Sequence, residues 1–338
     1  TGLFNNGMSK GMPKRHGSKT ILLLGLLCRY TLTLQTSTPA LLYSSYRSPR
    51  GLVSRSHNLN QIRKHPSMTM LAEDVSSDVL PPGKVIVVGS LNQDLTTYAP
   101  SLPSPGQTIL GTDFIITAGG KGANQAVAAS SIGVVDETQG VHMIGRVGDD
   151  DMGHSILSKL LSNGVKLNES NSRAKGVHTG VASINVDTTS GQNTIVVAPG
   201  ANMHLSKEEV ETSMMDLLSG SDGGNCERAV VLVQLEIAPE TALHALQSAS
   251  KLGALTILNP APAPKGWRLT NEWYSSIDIL IPNETELASL CGLSSSELVT
   301  GEGEEAMAKA LLEKGVRQGV IVTLGARGAM IVKKNEVS

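Results

Sequence analysis

The stretch from Thr117 to Ala129 constrains the fold of this chain more than any other. It reads T-A-G-G-K-G-A-N-Q-A-V-A-A, so three glycines within four residues precede an alanine-rich run without glycine or proline. The glycines allow a positive-φ loop whose backbone N–H groups can approach a ligand closely, and the run that follows favours a helix. A glycine loop at a helix N-terminus offers unpaired N–H groups and the positive end of the helix dipole to an anionic or hydroxyl-rich ligand.

Two side chains add chemistry to this loop. Lys121 supplies a positive charge, and Asn124 supplies an amide that both donates and accepts hydrogen bonds. The spacing matches neither G-x-G-x-x-G nor G-x-x-x-x-G-K-S/T, which excludes the standard dinucleotide and P-loop motifs. A tight turn before a helix that packs closely on a sheet is the alternative interpretation of the glycines.

Apolar, β-branched runs alternate with helical patterns in the rest of the chain. Such runs are typical of strands buried on both faces, and their alternation with helices predicts a parallel sheet covered on both sides. The predicted fold class is α/β, a three-layer, doubly wound, mostly parallel sheet. Ser206 with Glu209 is a capping box, and Gly315 is placed to end a helix. The predicted strands are 85–90, 141–147, 229–235, 255–258, 277–281 and 320–324, and the predicted helices are 153–161, 206–218, 239–252 and 304–314.

Two segments, at about 95–117 and 177–198, interrupt this alternation. The first contains several prolines before a short strand pattern, and the second alternates in polarity on both sides of a turn near Ser190 and Gly191. Both are interpreted as antiparallel ribbons beside the main sheet, small enough to form a lid. Edge hairpins without a moving role are the alternative.

Polar residues follow five of the predicted strands. Open α/β sheets bind ligands at the carboxyl ends of their strands, so these residues are candidates for one shared site. A lone polar residue at a strand end is more often a turn or cap residue, but five such ends together with the glycine loop favour a site. The residues are Asn92 and Asp94, Glu236, 259–262, 283–286 and 325–328.

In order and spacing, these motifs resemble those of the ribokinase-like (PfkB) carbohydrate kinases over residues 84–338. The N-P-A-P-A sequence at 259–263 is most similar to the ribokinases of that family. The resemblance implies ATP-dependent phosphorylation of D-ribose to D-ribose 5-phosphate, with ATP and Mg²⁺ bound and K⁺ expected in complete family members. The alternatives are another sugar or nucleoside kinase of the family, or a sugar- or nucleotide-binding regulator without catalysis.

The resemblance also implies roles for individual residues. Carboxylates and amides suit sugar hydroxyls, because they accept and donate hydrogen bonds in a closed site. The implied substrate-binding residues are Asn92, Asp94, Gly119, Gly120, Lys121, Asn124 and Glu236. The implied nucleotide-binding residues are Asn283, Thr323, Gly325, Ala326, Arg327 and Gly328, and Glu286 is the implied metal ligand.

One family motif has no counterpart in the sequence. Family members carry D-T-x-G-A-G-D after the region that corresponds to 329–334, and this motif supplies the catalytic aspartate and a helix N-terminus that stabilises the transferring phosphoryl group. The sequence reaches Ser338 without it. We therefore assign no catalytic residue, interpret the chain as a C-terminally truncated kinase, and expect the chain as given to be inactive.

Residues 1–83 are predicted to be a targeting leader and linker. The first 72 residues contain ten lysines or arginines and no acidic residue, and a basic segment precedes the apolar run Ile21–Cys28. That run suits a signal peptide and is too short to span a bilayer comfortably. The serine- and arginine-containing stretch that follows resembles a transit peptide and favours a plastid. A mitochondrion, or a cytoplasmic protein with a mispredicted start, is the alternative.

The rest of the chain is acidic. Subtracting those ten residues from the 28 basic residues of the whole chain leaves 18 against 30 acidic residues, and aromatic residues make up only 3%. Both features argue against a nucleic-acid partner. The widely spaced Cys28, Cys226 and Cys291 predict free thiols and neither disulfides nor a zinc site. We expect no stable membrane span, and the resemblance allows a homodimer through the lid.

Overall fold

The computed structural model describes residues 83–131, 140–168, 172–219, 229–263, 268–293 and 302–334. Its strands are β1 (Lys84–Val88), β2 (Asn92–Ala99), β3 (Asp113–Gly119), β4 (Val141–Ile144), β5 (Val147–Gly148), β6 (Val165–Leu167), β7 (Arg173–Ala174), β8 (Gly180–Asp187), β9 (Asn193–Ala198), β10 (Ala229–Val233), β11 (Leu255–Leu258), β12 (Ile279–Leu280), β13 (Gly319–Thr323) and β14 (Ala329–Lys333). Its helices are α1 (Lys121–Ser131), α2 (Asp151–Ser162), α3 (Lys207–Leu218), α4 (Pro239–Lys251), α5 (Asn271–Tyr274), α6 (Glu284–Cys291) and α7 (Glu302–Glu313), with 3₁₀ turns at Gly200–His204 and Gly325–Arg327.

Eight strands form a central sheet in the order β14-β13-β12-β11-β10-β1-β4-β6. Neighbouring strands run parallel except for β13 and β14, which pair antiparallel at one edge. Every residue of β10 and β13 is buried, as expected for strands with both faces covered. The mostly parallel, doubly wound sheet predicted from the sequence is confirmed.

The two faces of this sheet have separate hydrophobic cores. Successive residues of β1 point to opposite faces, so Ile86 and Val88 belong to one core and Val85 and Val87 to the other. Helices α3, α4, α6 and α7 complete the first core, and α1 and α2 complete the second. The described part of the chain around this sheet therefore has three layers, as predicted.

Helix boundaries follow the signals in the sequence at two places. The hydroxyl of Ser206 accepts a hydrogen bond from the backbone nitrogen of Glu209, and the Glu209 carboxylate accepts one from the backbone nitrogen of Ser206. This confirms the capping box predicted at the start of α3. Gly315 follows α7 with a φ of 127°, as predicted for a residue that ends a helix.

The prediction of one strand over 141–147 is wrong. Strand β4 ends at Ile144, and Val147 belongs to β5, which pairs with β7 in a separate two-stranded sheet. A Cβ at Gly145 would lie 2.7 Å from the carbonyl oxygen of Gly89, so the chain leaves the sheet where two backbone segments meet closely. The run 277–281 likewise contains only the two-residue β12, although the backbone nitrogens of Asp278 and Ile281 still donate to the carbonyls of Thr256 and Leu258 in β11.

A second, smaller sheet has the order β3-β2-β8-β9. The β2–β3 and β8–β9 pairs are antiparallel, as predicted for the two ribbons, but β2 and β8 pair in parallel and join the ribbons into one sheet. Strand β2 begins at Asn92 and not near Leu95, so Asn92 and Asp94 belong to the small sheet. That this sheet moves as a lid stays a prediction.

Within the described ranges, no helix is long and apolar enough to cross a membrane. Cys291 is a free, partly buried thiol, as predicted. Cys28, Cys226 and residues 1–82 of the predicted leader lie outside the described residues.

Candidate active site

The strand order of the central sheet reverses between β1 and β10. From β1 the sheet continues through β4 and β6 on one side, and from β10 it continues through β11, β12 and β13 on the other. Loops diverge at such a point and leave a crevice at the carboxyl ends of the strands, where open α/β sheets bind ligands. Ser90 follows β1 and Glu236 follows β10, so both residues lie at this crevice.

Glu236 is bound to the N-terminus of α1. Its Oε2 accepts hydrogen bonds from the hydroxyl of Ser90 at 2.6 Å and from the backbone nitrogen of Lys121 at 3.1 Å. The Lys121 ammonium lies 3.7 Å from Oε1. A carboxylate at a helix N-terminus is stabilised by the helix dipole and by the unpaired N–H groups there. Two hydrogen-bond donors and one ion pair therefore hold the carboxylate in place before any ligand binds.

The glycine turn brings β2 against the same helix N-terminus. Gly120 has a φ of 91°, and a Cβ on it would lie 2.8 Å from the backbone nitrogen of Asn92. A Cβ on Gly119 would lie 2.1 Å from Oδ2 of Asp94. At both glycines a side chain would collide with β2, as the tight-turn interpretation expects. This close approach of β2 to the turn places Asp94 next to the start of α1.

Asp94 is a carboxylate with a strongly perturbed pKa. Its pKa is raised from 3.8 to about 6, mainly by burial and also by the neighbouring Glu236, and the charge of Lys121 partly offsets this rise. Two carboxylates therefore lie near one ammonium group. Carboxylates accept hydrogen bonds and ammonium groups donate them, so this end of the crevice can bind a ligand rich in hydroxyl groups.

Asn92 and Asn124, the two predicted amides, differ in their contacts. Oδ1 of Asn92 accepts a hydrogen bond of 2.7 Å from Nδ2 of Asn202. Asn124 lies in the first turn of α1, and its backbone nitrogen donates to the carbonyl of Gly120. The side chain of Asn124 has no hydrogen-bond partner among the residues that the structure describes.

Asn283 and Glu286 lie further along the same edge, at the start of α6. The backbone nitrogen of Glu286 donates to Oδ1 of Asn283 at 2.8 Å, and the backbone nitrogen of Asn283 donates to Oε2 of Glu286 at 2.9 Å. The pair is a second capping box. Burial raises the pKa of Glu286, and the hydrogen bond from Asn283 and the charge of Lys121 lower it.

The turn after β13 contains the other predicted nucleotide-binding residues. Thr323 forms a parallel bridge with Asn283, so the turn begins next to the start of α6. Gly325 and Gly328 have φ values of 54° and 94°, and the backbone nitrogen of Leu324 donates to the carbonyl of Gly328 at 2.8 Å. Residues 325–327, which include Ala326, are exposed to solvent.

Arg327 pairs with two carboxylates in this arrangement. Its guanidinium donates to Glu284 in α6 and to both oxygens of Glu304 in α7. These bonds raise the pKa of Arg327. Arg327 thus connects the turn to two helices, and the nucleotide contact implied by the resemblance stays a prediction.

A model of the pfkB family of carbohydrate kinases matches residues 83–338. The chain belongs to this family. Ribokinase of Mus musculus is 37% identical over 253 residues, which cover 75% of this chain and 72% of that protein. Deoxyribokinase of Salmonella typhi is 34% identical over 252 residues, which cover 75% of this chain and 76% of that protein. The structure of Arabidopsis thaliana ribokinase complexed with ribose and ATP has a TM-score of 0.61 and 30% identity, and covers 76% of each chain.

As a PfkB kinase, the chain is an ATP-dependent phosphotransferase, and its predicted site residues form two groups along one sheet edge. The first group follows β1 and β10, and the second follows β12 and β13, with only β11 between them. Lys121 connects the two groups electrostatically, because its charge lowers the pKa of both Asp94 and Glu286. Asn259 follows β11, between the two groups, and its amide donates to the carbonyl of Ile281, directly after β12, at 3.3 Å.

Two residues of this PfkB kinase site were not among the predicted site residues. Ser90 is the last residue of the predicted strand 85–90, and its hydroxyl joins Glu236 to the backbone nitrogen of Gly122. A small polar residue directly after a buried strand is a signal that could have identified it. Asn202 lies in a 3₁₀ turn with no local motif, and only its complete burial and its contact with Asn92 reveal it.

Proposed function

We propose that this PfkB kinase is a ribokinase, which transfers the γ-phosphoryl group of ATP to the 5-hydroxyl of D-ribose. The observation that carries the proposal is the convergence of Asp94 and Glu236 on the N-terminus of α1, beside Asn92. The 37% identity to mouse ribokinase and the similarity to the Arabidopsis enzyme complexed with ribose and ATP support it.

The proposed roles follow from the chemistry of the side chains. Asp94 and Glu236 accept hydrogen bonds from sugar hydroxyls, and the amide of Asn92 donates one. A site that pairs each sugar hydroxyl discriminates strongly against analogues lacking one, because its own buried groups would be left unpaired. Phosphoryl transfer depends mainly on such positioning and on neutralisation of phosphate charge. We assign no described residue as the general base.

We propose that Glu286 takes part in binding Mg²⁺ together with the ATP phosphates. Within the described residues there is no group of three or more histidine, cysteine or acidic side chains that could hold a metal ion. Mg²⁺ needs no such group, because in kinases it is usually held by one or two carboxylates, water and the phosphates. Glu286 fits this mode, since only its Oε2 is used for capping in the described part of the chain.

We also propose that the kinase requires K⁺. Replacing KCl with choline chloride in the assay tests this requirement.

A substrate panel tests the proposed reaction. The full-length protein is assayed for ADP release with ATP, Mg²⁺ and each of D-ribose, 2-deoxy-D-ribose, D-fructose and adenosine. We expect D-ribose to give the highest kcat/KM. Preference for 2-deoxy-D-ribose would instead support the second candidate, a deoxyribokinase, which the identity to the Salmonella enzyme favours. Sugar binding without any ADP release would indicate a non-catalytic regulator.

We propose that the protein forms a homodimer through the small sheet. The strand register aligns Ile116, Leu95, Ser183 and Val196 in one row, on the face opposite Asp94. Ile116 is 59% exposed and Val196 is 72% exposed, and a second copy would cover both. Light scattering tests the dimer: Val196→Lys should give monomers, whereas the control Ser131→Lys, at the exposed end of α1, should not.

We also propose that residues 1–72 direct the protein into a plastid. The support is the ten basic and no acidic residues of this segment, with its short apolar run. A fusion of residues 1–72 to a fluorescent protein should enter the organelle, and a fusion of residues 84–338 should not. Mitochondrial or diffuse cytosolic fluorescence from the first fusion would contradict a plastid address.

A further inference from the structure

Asn202 is a completely buried amide in the 3₁₀ turn Gly200–His204. Its Oδ1 accepts a hydrogen bond from the backbone nitrogen of Leu91 at 2.8 Å, and its Nδ2 donates to the carbonyl of Pro199 at 2.9 Å. A backbone N–H can only donate and a backbone carbonyl can only accept. These two contacts therefore fix which end of the Asn202 amide carries the oxygen and which carries the nitrogen.

The orientation of Asn202 in turn determines the orientation of Asn92. Nδ2 of Asn202 also donates to the side chain of Asn92 at 2.7 Å, so the atom of Asn92 that faces it must be the oxygen. The amide nitrogen of Asn92 then faces away, and in the described part of the chain it has no hydrogen-bond partner. Asn92 and Asp94 are two residues apart in β2 and share one face of the strand.

Gly180 makes room for this pair of amides. It lies opposite Asn92 in β8, and a Cβ on it would be 2.2 Å from Oδ1 of Asn92 and 2.3 Å from Nδ2 of Asn202. The backbone of Gly180 therefore packs directly against the contact between the two amides, where a side chain would not fit. Asn92 is not free to rotate its amide while Asn202 is in place.

We propose that Asn202 is a positioning residue for sugar binding, which holds Asn92 so that its amide nitrogen donates to one sugar hydroxyl while Asp94 accepts from a neighbouring one. This rests on the proposed function as a sugar kinase. A fixed donor beside a fixed acceptor is complementary to two adjacent hydroxyl groups of a sugar. Without Asn202, the amide of Asn92 can turn by 180° and present its oxygen next to the Asp94 carboxylate, where two acceptors compete for the same protons.

A double-mutant cycle tests this role. D-Ribose affinity is measured by calorimetry for the full-length wild type, Asn202→Ala, Asn92→Ala and the double variant. We expect Asn202→Ala to weaken ribose binding about tenfold, as for the loss of one oriented hydrogen bond, and to change ATP affinity less than about twofold. In the Asn92→Ala background it should have no further effect, because the two residues act through one contact.

Three results would overturn the inference: an equal loss of ribose affinity in both backgrounds, a parallel loss of ATP affinity, or an unchanged affinity of Asn202→Ala. The first two would mean that Asn202 only supports the fold. A wild type that binds none of the sugars in the panel would instead overturn the proposed function, and this inference with it.

A second variant keeps the test sharp if Asn202→Ala does not fold. Asn92→Asp retains an oxygen that accepts from Asn202 but replaces the donor nitrogen with another oxygen. Because Asn92 is only 2% exposed and lies near Asp94, we expect the added carboxylate to lower the melting temperature. ATP affinity should change less than about twofold, and ribose affinity should fall about tenfold or more. Wild-type ribose affinity in this variant would mean that Asn92 acts as an acceptor, which would contradict the proposed orientation.

Discussion

The hydroxyl of Ser90 donates a 2.6 Å hydrogen bond to Oε2 of Glu236 and joins two strand ends that are 146 residues apart in the sequence. The same hydroxyl oxygen accepts from the backbone nitrogen of Gly122 at 3.3 Å. One buried side chain thus connects a carboxylate of the proposed sugar site to the first turn of α1.

Removal of this hydroxyl should cost both stability and affinity. Ser90→Ala leaves the buried N–H of Gly122 without that acceptor, so we expect the free energy of unfolding to fall by about 1–3 kcal/mol. Ribose affinity should fall as Glu236 becomes mobile. Urea unfolding and calorimetry measure the two effects. In the control Ser131→Ala, the lost hydroxyl is exposed at the other end of α1, and a change within about 0.5 kcal/mol is expected.

Sugar affinity should depend on pH through Asp94. Its pKa is raised to about 6, so below that pH the group is mostly protonated and accepts hydrogen bonds poorly. We expect ribose affinity to be constant at neutral pH and to fall toward about tenfold per pH unit well below the pKa. Calorimetry across this range measures the profile. The isosteric Asp94→Asn should bind weakly without this pH dependence, and a flat wild-type profile would exclude Asp94 from the site.

The same carboxyl should reduce the stability of the folded chain. The folded-state pKa of about 6 is higher than the ordinary aspartate value of 3.8, so the folded protein binds more protons than the unfolded chain between these pH values and loses stability as pH rises through them. Asp94→Asn should therefore raise the free energy of unfolding at neutral pH, on the order of 1 kcal/mol, and flatten its pH dependence. Urea unfolding at acidic and neutral pH measures this. Lower stability of the variant at neutral pH would show that ionised Asp94 is well compensated.

Gly120 should tolerate no side chain, because a Cβ there would collide with the backbone of Asn92 in addition to straining the positive φ angle. Gly120→Ala places a Cβ 2.8 Å from the backbone nitrogen of Asn92 at a φ of 91°, whereas Gly191→Ala meets a similar φ of 72° with nothing within 4 Å. The control should lose about 1 kcal/mol from backbone strain alone, and Gly120→Ala clearly more. Thermal unfolding of both variants measures the difference. Equal losses would mean that the clash with β2 relaxes freely.

Glu286→Gln separates capping from metal binding. Glutamine can replace glutamate in a capping box, so the start of α6 should keep both reciprocal hydrogen bonds and unfolding should change by less than about 0.5 kcal/mol. Removal of the charge should raise the Mg²⁺ concentration needed for half-maximal ADP release. A Mg²⁺ titration of the full-length protein measures this. An unchanged titration would leave Glu286 with the capping function alone.

The layered fold and much of the site could be predicted because their signals are local. A continuous β-branched run marks a strand buried on both faces wherever it occurs, and parallel strands place their carboxyl ends at one edge. The polar residues that follow β1 and β10 are therefore neighbours in space. This reasoning predicted from the sequence alone that Asp94 and Glu236 belong to one site.

The remaining features depend on contacts between segments far apart in the sequence. Asn202 matters because of Asn92, 110 residues earlier, and nothing near either residue marks the pair. The break in the run 141–147 comes from the approach of the backbone at Gly89. Arg327 has its carboxylate partners in two separate helices, so no local pattern could show that they occupy its guanidinium.

Strand β2 has a consequence for how this protein responds to its own concentration. The strand carries Asn92 and Asp94 on the face of the proposed sugar site, and the other face of its sheet holds the exposed Ile116 and Val196. In the proposed dimer, a second copy that stabilises the sugar-binding orientation of the sheet would raise sugar affinity by the same free energy. Linkage is reciprocal, so the sugar strengthens self-association by the same factor. Saturation curves would then shift with enzyme dilution, and the subunit interface would act as an effector site of the sugar pocket.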